Sequence, residues 1–276
     1  MTVGEVLKAS TGFLAGKGVP SPRVDAEHLV AKALGVSRLD LYLQHDRPLS
    51  EAELARAREL VRRRGTREPL AYVLGEWGFR RLTLATDRRA LIPRPETEVV
   101  VERCLVHLDR LDAPAVLDVG TGSGAIALAI ADEHPGARVT AIDVSEDALE
   151  LAAENALRTG QDVQFVRRDL GDGLPAGLWD LVVSNPPYVL PEEIDSLETE
   201  VRDWEPRLAL VGRGATEAIV QGAPSVLRAG GWLVLEVADG AGETITDLLA
   251  EAGFGEVACV PDLSDRDRVV EGRWTP

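Results

Sequence analysis

The sequence predicts an α/β protein in which a small helical domain precedes a doubly wound, mostly parallel sheet. Three observations carry that prediction. Residues 1 to about 75 show helical periodicity, helix caps and few β-branched runs; from residue 114 onward short apolar runs alternate with helical segments; and two extended stretches lie between them. Strand–helix alternation of this kind specifies a parallel sheet covered on both faces. A chain of 276 residues is near the limit for one hydrophobic core, so a large domain with a smaller one attached is the natural division. The expected boundaries are a helical domain over 1–75, a β-hairpin or extended linker over 76–96 and a sheet domain over 97–276.

Ser21-Pro22 opens a helix to Leu34, with proline at the first helical position. Ser50 and Glu53 make a capping-box pattern, and Arg62, Arg63 and Arg64 precede Gly65, where they read as complementing the helix dipole on a solvated face, with a binding patch as the alternative. The domain reads as four or five short helices. From Glu68 to Thr86 the pattern turns strand-like, at Leu70–Leu74 and again at Phe79–Leu84. Leu91-Ile-Pro-Arg-Pro-Glu-Thr-Glu98 holds two prolines in an extended stretch, suited equally to a pocket wall and to a domain linker, before a helix from about Thr97 to Leu108. Strands are expected at Ala115–Val119, Arg138–Ile142, Val163–Val166, Leu181–Ser184 and Trp232–Val237. Helices are expected at Ala125–Asp132, from the Ser145 cap through Arg158, at Thr216–Leu227 and at Glu243–Ala252. Val257–Val260 and Val269–Trp274 close the chain as an antiparallel pair.

The chemistry is placed at Asp180-Leu-Val-Val-Ser-Asn-Pro-Pro-Tyr188. A buried strand ends there, because Pro186 and Pro187 cannot donate ladder hydrogen bonds, which leaves Asn185 at a strand's C-terminal edge. In open α/β sheets ligands bind outside the carboxyl ends of strands. The Asn185 side-chain oxygen and the Pro186 carbonyl are two neutral acceptors for the two hydrogens of an amino or amide group, and the Tyr188 ring can stack on a planar substrate. A plain strand-ending turn is the alternative, and the full four-residue run weighs against it.

The loop Gly120-Thr121-Gly122-Ser123-Gly124 comes after the first sheet strand. Gly120-x-Gly122-x-x-Ala125 satisfies the dinucleotide fingerprint, so a nicotinamide enzyme stays open at this point. Asp143, ending the second strand, can accept both hydroxyls of a ribose in either case. Asp118, two residues before the first glycine, can take a cationic amino group through water or the loop amides. Gly124 permits close approach of a bulky non-phosphate ligand. Asn-Pro-Pro-Tyr has no use in hydride transfer but suits a group donor such as S-adenosylmethionine.

Charge excludes some partners. Residues 1–88 hold 15 Lys/Arg against 11 Asp/Glu, a balance of +4, and residues 89–276 hold 15 against 35, a balance of −20. A domain at −20 repels a phosphate backbone, so no direct nucleic-acid contact is expected there, while the mildly basic N-terminal part is available for an acidic or ribonucleoprotein partner. No run of about 18 apolar residues is present, and Met-Thr-Val-Gly-Glu lacks a basic-then-apolar signal pattern, so the expectation is a cytoplasmic protein with no membrane partner. Cys104 and Cys259 sit in apolar surroundings away from any Cys/His cluster and read as buried free thiols rather than a metal site.

Together these residues carry a resemblance. Asp118-x-Gly120-x-Gly122-x-Gly124, Asp143 and Asn185-Pro-Pro-Tyr188 resemble the class I methyltransferases that alkylate exocyclic or amide nitrogen. Arg67-Glu-Pro-Leu-Ala-Tyr-Val-Leu-Gly75, Leu91–Glu98, Ala141-Ile-Asp-Val-Ser145 with Ala148, Leu149 and Asn155, and Trp204-Glu-Pro-Arg-Leu-Ala-Leu210 resemble the HemK/PrmC family over nearly the whole chain. The resemblance implies a Rossmann-like class I S-adenosylmethionine-dependent fold and methylation of N5 of the glutamine in the Gly-Gly-Gln motif of peptide-chain release factors. It also implies that the helical domain engages the release factor. By the same resemblance Gly120–Gly124, Asp143 and the region of Asp169 and Leu170 hold S-adenosyl-L-methionine, while Asn185, Pro186, Pro187 and Tyr188 hold the glutamine amide. Alternatives are a glutamine methyltransferase of a large-subunit ribosomal protein and an adenine-N6 methyltransferase. The chain departs from the family's usual pattern at Gly212–Glu217, at Leu170 and at Ala238-Asp239.

Overall fold

The computed structural model describes residues 1–212 and 214–276, so Arg213 of the divergent stretch lies outside the described residues. In chain order its elements are α1 (Val3–Gly16), α2 (Pro22–Leu34), α3 (Arg38–Leu43), α4 (Glu51–Gly65), α5 (Leu70–Leu74), β1 (Glu76–Phe79), β2 (Leu82–Ala85), α6 (Thr97–Leu108), β3 (Ala115–Val119), α7 (Ala125–Glu133), β4 (Arg138–Asp143), α8 (Glu146–Thr159), β5 (Val163–Arg167), β6 (Trp179–Ser184), α9 (Thr199–Arg202), α10 (Arg207–Leu210), α11 (Ala215–Gly222), β7 (Leu227–Glu236), α12 (Gly242–Glu251), β8 (Phe254–Pro261) and β9 (Asp267–Trp274). Two compact units result. One is Met1–Glu76 with Leu197–Trp204, the other Trp77–Ser196 with Glu205–Pro276.

The first unit is built from α1–α5 and α9. Thr2, Ser37 and Ser50 each accept an N–H of their own helix, while Glu5, Asp40 and Glu53 reach back to the cap, so three helix starts are satisfied reciprocally. Its core is apolar and closed, with Val3, Leu14, Leu29, Val30 and Leu41 fully buried. The arginine run does not behave as a solvated face throughout. Arg62 pairs with Glu59 at the surface, but Arg64 is buried, donating to Asp25 at 2.7 Å and to Glu200 at 2.8 Å. Arg67 grips both oxygens of the same Glu200 at 2.8 and 2.5 Å. A charge cluster therefore holds segment 197–204 in this unit, and position 64 faces inward because α4 turns that side of its last turn onto α2.

Leu70–Leu74, expected as a strand, is the helix α5. Pro69 stands at its N-cap and Gly75, at φ +72°, closes it in the left-handed conformation. Five residues are too few for period to separate strand from helix, and the burial of Ala71, Tyr72 and Val73 on consecutive positions decided for a turn packed on α2 and α4. The hairpin itself is β1–β2.

The second unit holds a seven-stranded sheet in the order β5-β4-β3-β6-β7-β9-β8. The first five strands are parallel; β9 runs antiparallel to β7, and β8 antiparallel to β9. Both faces are covered. Leu181 and Val183 join Val100, Cys104, Ile126 and Leu128 from α6 and α7, whereas Val182 joins Ile219, Val220 and Leu249 from α11 and α12. This period-two division is the doubly wound arrangement, and each such fully buried side chain contributes about 1.5–3 kcal/mol. The expected helix Thr216–Leu227 stops at Gly222, because Pro224 enters a 3₁₀ turn and Leu227 already opens β7. Cys104 is buried as expected, but Cys259, on the edge strand β8, is exposed, with its Sγ 3.5 Å from Asp267 Oδ1.

Among the described residues no helix is long and apolar enough to cross a membrane. Replacing Arg64 by Ala strands the buried Asp25 carboxylate and leaves Glu200 to Arg67 alone, and the expected loss is about 3–5 kcal/mol of folding stability. Urea denaturation of the full chain reads this directly; a midpoint equal to that of the unsubstituted protein would show that the cluster is not structural.

Candidate active site

Val119 and Ser184, the last residues of β3 and β6, are direct neighbours in the parallel register. The Ser184 hydroxyl donates to the Val119 carbonyl at 2.7 Å, locking the two strand ends together. The glycine loop and the Asn-Pro-Pro-Tyr corner consequently leave the sheet side by side.

The loop folds over the end of β4. Gly120 and Thr121 both donate their N–H to the Ile142 carbonyl, at 2.8 and 3.0 Å, and Gly120 and Gly122 hold φ values of +73° and +56°. The Asp143 carboxylate accepts the Gly122 N–H at 2.9 Å and the Ser145 N–H at 2.9 Å, one on each oxygen. Each oxygen keeps lone pairs free for a ligand's hydroxyls. At Gly124, φ is +83° and a Cβ would meet Leu128 Cδ1 at 3.1 Å and Ala152 at 3.2 Å, so this glycine serves helix packing. Behind the loop Asn155 is fully buried. Its Nδ2 donates to the Ser123 and Ala85 carbonyls at 3.0 and 3.2 Å, and its Oδ1 accepts the Ala85 N–H at 2.6 Å. One side chain thereby ties the loop, α8 and β2.

A cavity of about 590 Å³ opens at these strand ends. Gly120, Thr121, Gly122, Ser123, Asp143, Asp169, Leu170, Asn185, Pro186 and Pro187 all line it. Residues 91–94 and Thr97 line it as well, so the proline-bearing stretch forms part of its wall. That wall is pinned by Glu205, whose buried carboxylate accepts the Ile92 N–H at 3.2 Å and pairs with Arg94. Burial pushes the Glu205 carboxyl up, against the opposing pull of Arg94. Asp169 sits on the rim, capping the turn 170–172 through the Gly171 N–H at 2.8 Å.

Three expected site residues stand elsewhere. Asp118 is fully buried beneath the loop: the Thr121 hydroxyl donates to its Oδ2 at 2.6 Å, and desolvation raises its pKa to about 7 against the pull of Thr121 and the Ala127 N–H. Gly124 packs against α7 and α8 and does not line the cavity. Tyr188 is 42% exposed and also outside the lining. Its phenol is pushed up first by desolvation and then by the negative charge of Glu236.

Two polar residues that sequence reasoning did not single out complete the site. The Thr97 hydroxyl, at the start of α6, donates to Glu236 Oε2 at 2.7 Å, and Asn185 Nδ2 reaches Thr97 Oγ1 at 3.4 Å. Residues 97, 185 and 236 are far apart in sequence, and only the β6–β7 register, which pairs Ser184 with Leu235, brings the last two together. The sole signal was a charged residue closing an otherwise apolar strand, Leu233-Val-Leu-Glu236.

Comparison with known proteins gives consistent matches. Residues 5–75 match the PrmC N-terminal domain family and residues 100–200 the methyltransferase small domain family. A release factor glutamine methyltransferase of Geobacter sulfurreducens is 42% identical over 276 residues, spanning 99% of this chain and 96% of its own length. One from Chlorobaculum tepidum is 44% identical over 283 residues, 97% of this chain and 95% of its own length. Among solved structures, the Thermus thermophilus 16S rRNA N2 G1207 methyltransferase in complex with AdoMet and guanosine superposes with a TM-score of 0.53 at 19% identity, over 72% of this chain and 49% of that one. A methyltransferase from Pyrococcus furiosus gives 0.50 at 18% identity, over 71% and 90%. At these identities the superpositions speak for the fold alone.

Asn155→Ala leaves the Ala85 N–H and the Ser123 carbonyl without their partner, at about 1–3 kcal/mol for each stranded group. Hydrogen exchange at the Ala85 amide is expected to accelerate and urea stability to fall; unchanged exchange would remove Asn155 from its tying role.

Proposed function

The chain belongs to the release factor glutamine methyltransferase family, and on that premise we propose that it transfers a methyl group from S-adenosylmethionine to the side-chain amide nitrogen (N5) of the glutamine in the Gly-Gly-Gln motif of a peptide-chain release factor. The observation that carries this reading is the shared cavity: a glycine loop with a diol-accepting Asp143, and a neutral acceptor corner at Asn185, on adjacent strand ends. The helical domain, residues 1–75, engages the release factor, residues 76–96 link it to the methyltransferase domain over 97–276, and the protein works in the cytoplasm. The −20 balance of residues 89–276 disfavours direct contact of that domain with nucleic acid.

The residues present fit the cofactor. A cavity of about 590 Å³ is of small-molecule size. Asp143 keeps lone pairs for the ribose hydroxyls, Leu170 and Ile142 offer apolar walls for the adenine, and the loop's positive-φ glycines let backbone approach closely. Asp118, buried under the loop, places an acidic group there that favours a cationic ligand above it. When bound, S-adenosylmethionine supplies an electrophilic methyl on a sulfonium.

The chain's own residues answer a specific difficulty. An amide nitrogen is a poor nucleophile because its lone pair is delocalised into the carbonyl, and its proton is too weakly acidic for a carboxylate to remove beforehand. Asn185 Oδ1 and the Pro186 carbonyl each accept one N–H of the substrate amide, which aims the nitrogen and stabilises positive charge growing on it. As the N–C bond forms and the C–S bond breaks, the alkylated nitrogen becomes strongly acidic and loses a proton to water. No general base is required before attack.

The decisive experiment is incubation of the purified chain with S-adenosylmethionine and a release factor, with mass spectrometry of the motif peptide. One methyl is expected on the glutamine and none when that glutamine is replaced; methylation elsewhere, or none at all, would overturn the assignment. Asn185→Ala is expected to lower turnover by about 10²-fold or more while leaving cofactor affinity intact. Asp143→Ala instead weakens cofactor binding by about 1.5–3 kcal/mol, the range for hydrogen bonds to a charged group, as titration calorimetry would read.

A further inference from the structure

A carboxamide can be seated two ways round, and only one of them lets Asn185 accept a substrate N–H. The other presents Nδ2, a donor, to a donor. Asn185 cannot settle this alone, so the cue must come from its neighbours.

We propose that Thr97 and Glu236 are positioning residues that set the orientation of the Asn185 carboxamide through a hydrogen-bond chain of fixed polarity, directing Oδ1 into the cavity. This deepens the amide-grip reading above and rests on it. An ionised Glu236 can only accept. It takes the single Thr97 hydroxyl proton at 2.7 Å, which leaves lone pairs on Thr97 Oγ1, and these accept from Asn185 Nδ2 at 3.4 Å. The second bond is long, as catalytic contacts often are before substrate tightens them. Thr97 is 5% exposed and Glu236 2%, so water does not substitute for either partner. Thr97 and Asn185 both line the cavity, whereas Glu236 stands behind them, outside its lining.

The chain's polarity depends on Glu236 being charged. A protonated Glu236 donates to Thr97, the Thr97 hydroxyl then donates onward, and the carboxamide is drawn to turn Oδ1 toward it. The groups facing Glu236 are Arg268 from β9, Arg94 and Glu96 ahead of α6, the Tyr188 phenol and the Thr97 hydroxyl. Desolvation dominates and raises the Glu236 carboxyl to about 7, with Thr97, Arg268 and Arg94 opposing and Glu96 assisting. Competence is therefore gained as pH rises through about 7.

The test uses the full chain and has two independent arms. In the first, the Asn185 side-chain amide is followed by ¹H–¹⁵N NMR without substrate. One Nδ2 proton is expected to exchange slowly at about pH 8 and to lose protection in Thr97→Val; the signal is expected to shift with a midpoint near about 7, and that shift to vanish in Glu236→Gln. In the second, turnover on a release factor is expected to fall roughly 10- to 100-fold in Thr97→Val with the KM for S-adenosylmethionine unchanged, and to recover in Thr97→Ser. In an Asn185→Ala background Thr97→Val is expected to cost nothing further, because it acts only through Asn185. An additive loss, or an Asn185 amide indifferent to Thr97, would overturn the proposal. A chain that methylates no release factor yet shows the NMR behaviour would overturn the functional reading and leave the hydrogen-bond chain standing.

Discussion

The site depends first on a matter of register. Parallel strands end at the same edge of a sheet, so the segments leaving β3 and β6 must emerge together once Val119 is paired with Ser184. One strand continues into a glycine-bearing loop with left-handed turns and the other into a proline-locked corner. The two backbones differ in what they offer a ligand. Backbone amides must wrap a ligand on one side, while two acceptors must hold their spacing on the other. The Ser184 hydroxyl bound to the Val119 carbonyl is a direct contact that keeps the two from drifting apart.

Electrostatics extends the same division. The surfaces offered to an amide nitrogen are neutral, yet two carboxylates stand just behind them: Asp118 under the loop and Glu236 behind Thr97. Both are buried, both are raised to about 7 by desolvation, and both meet the cavity only through a threonine hydroxyl. A hydroxyl interposed in this way transmits the carboxylate's preference for a proton without placing a full charge against the ligand. Glu205 plays a different part. It pairs with Arg94 and fixes the 91–94 wall, and its charge is spent on that wall.

Much of this was legible in the chain because local signals were strong. Ser21-Pro22 and Gly35 bracket α2, Thr97–Leu108 is a helix at both ends as read, and Leu181–Ser184 stops at the prolines that cannot extend a ladder. Failures fell where tertiary partners decide. Leu70–Leu74 is too short for its period to speak, and Pro69 and Gly75 were the better witnesses. Arg64 read as the exposed end of a basic run, yet its partners Asp25 and Glu200 lie 39 and 136 residues away. Asp118 carried the spacing of a ligand residue, but that spacing does not tell that its side chain is buried beneath the loop and meets it through the Thr121 hydroxyl. Thr97 and Glu236 could not be found by motif, because their meaning exists only once three elements meet.

An amide-gripping corner needs more than its own four residues for a related reason. Proline rigidity fixes the backbone, and hence the Pro186 carbonyl, without help. The Asn185 carboxamide is different: its two ends are nearly equal in size, so packing cannot tell them apart and only a donor–acceptor pattern can. A neighbouring hydroxyl alone does not suffice, as it both donates and accepts. Polarity enters only from a group that can do one and not the other, and an ionised carboxylate is such a group. Placing that carboxylate one hydroxyl away from the asparagine, at the end of β7 where Glu236 stands, supplies the direction while keeping the charge out of the cavity. A neutral site for a neutral nitrogen is thus oriented by a charge it does not contain.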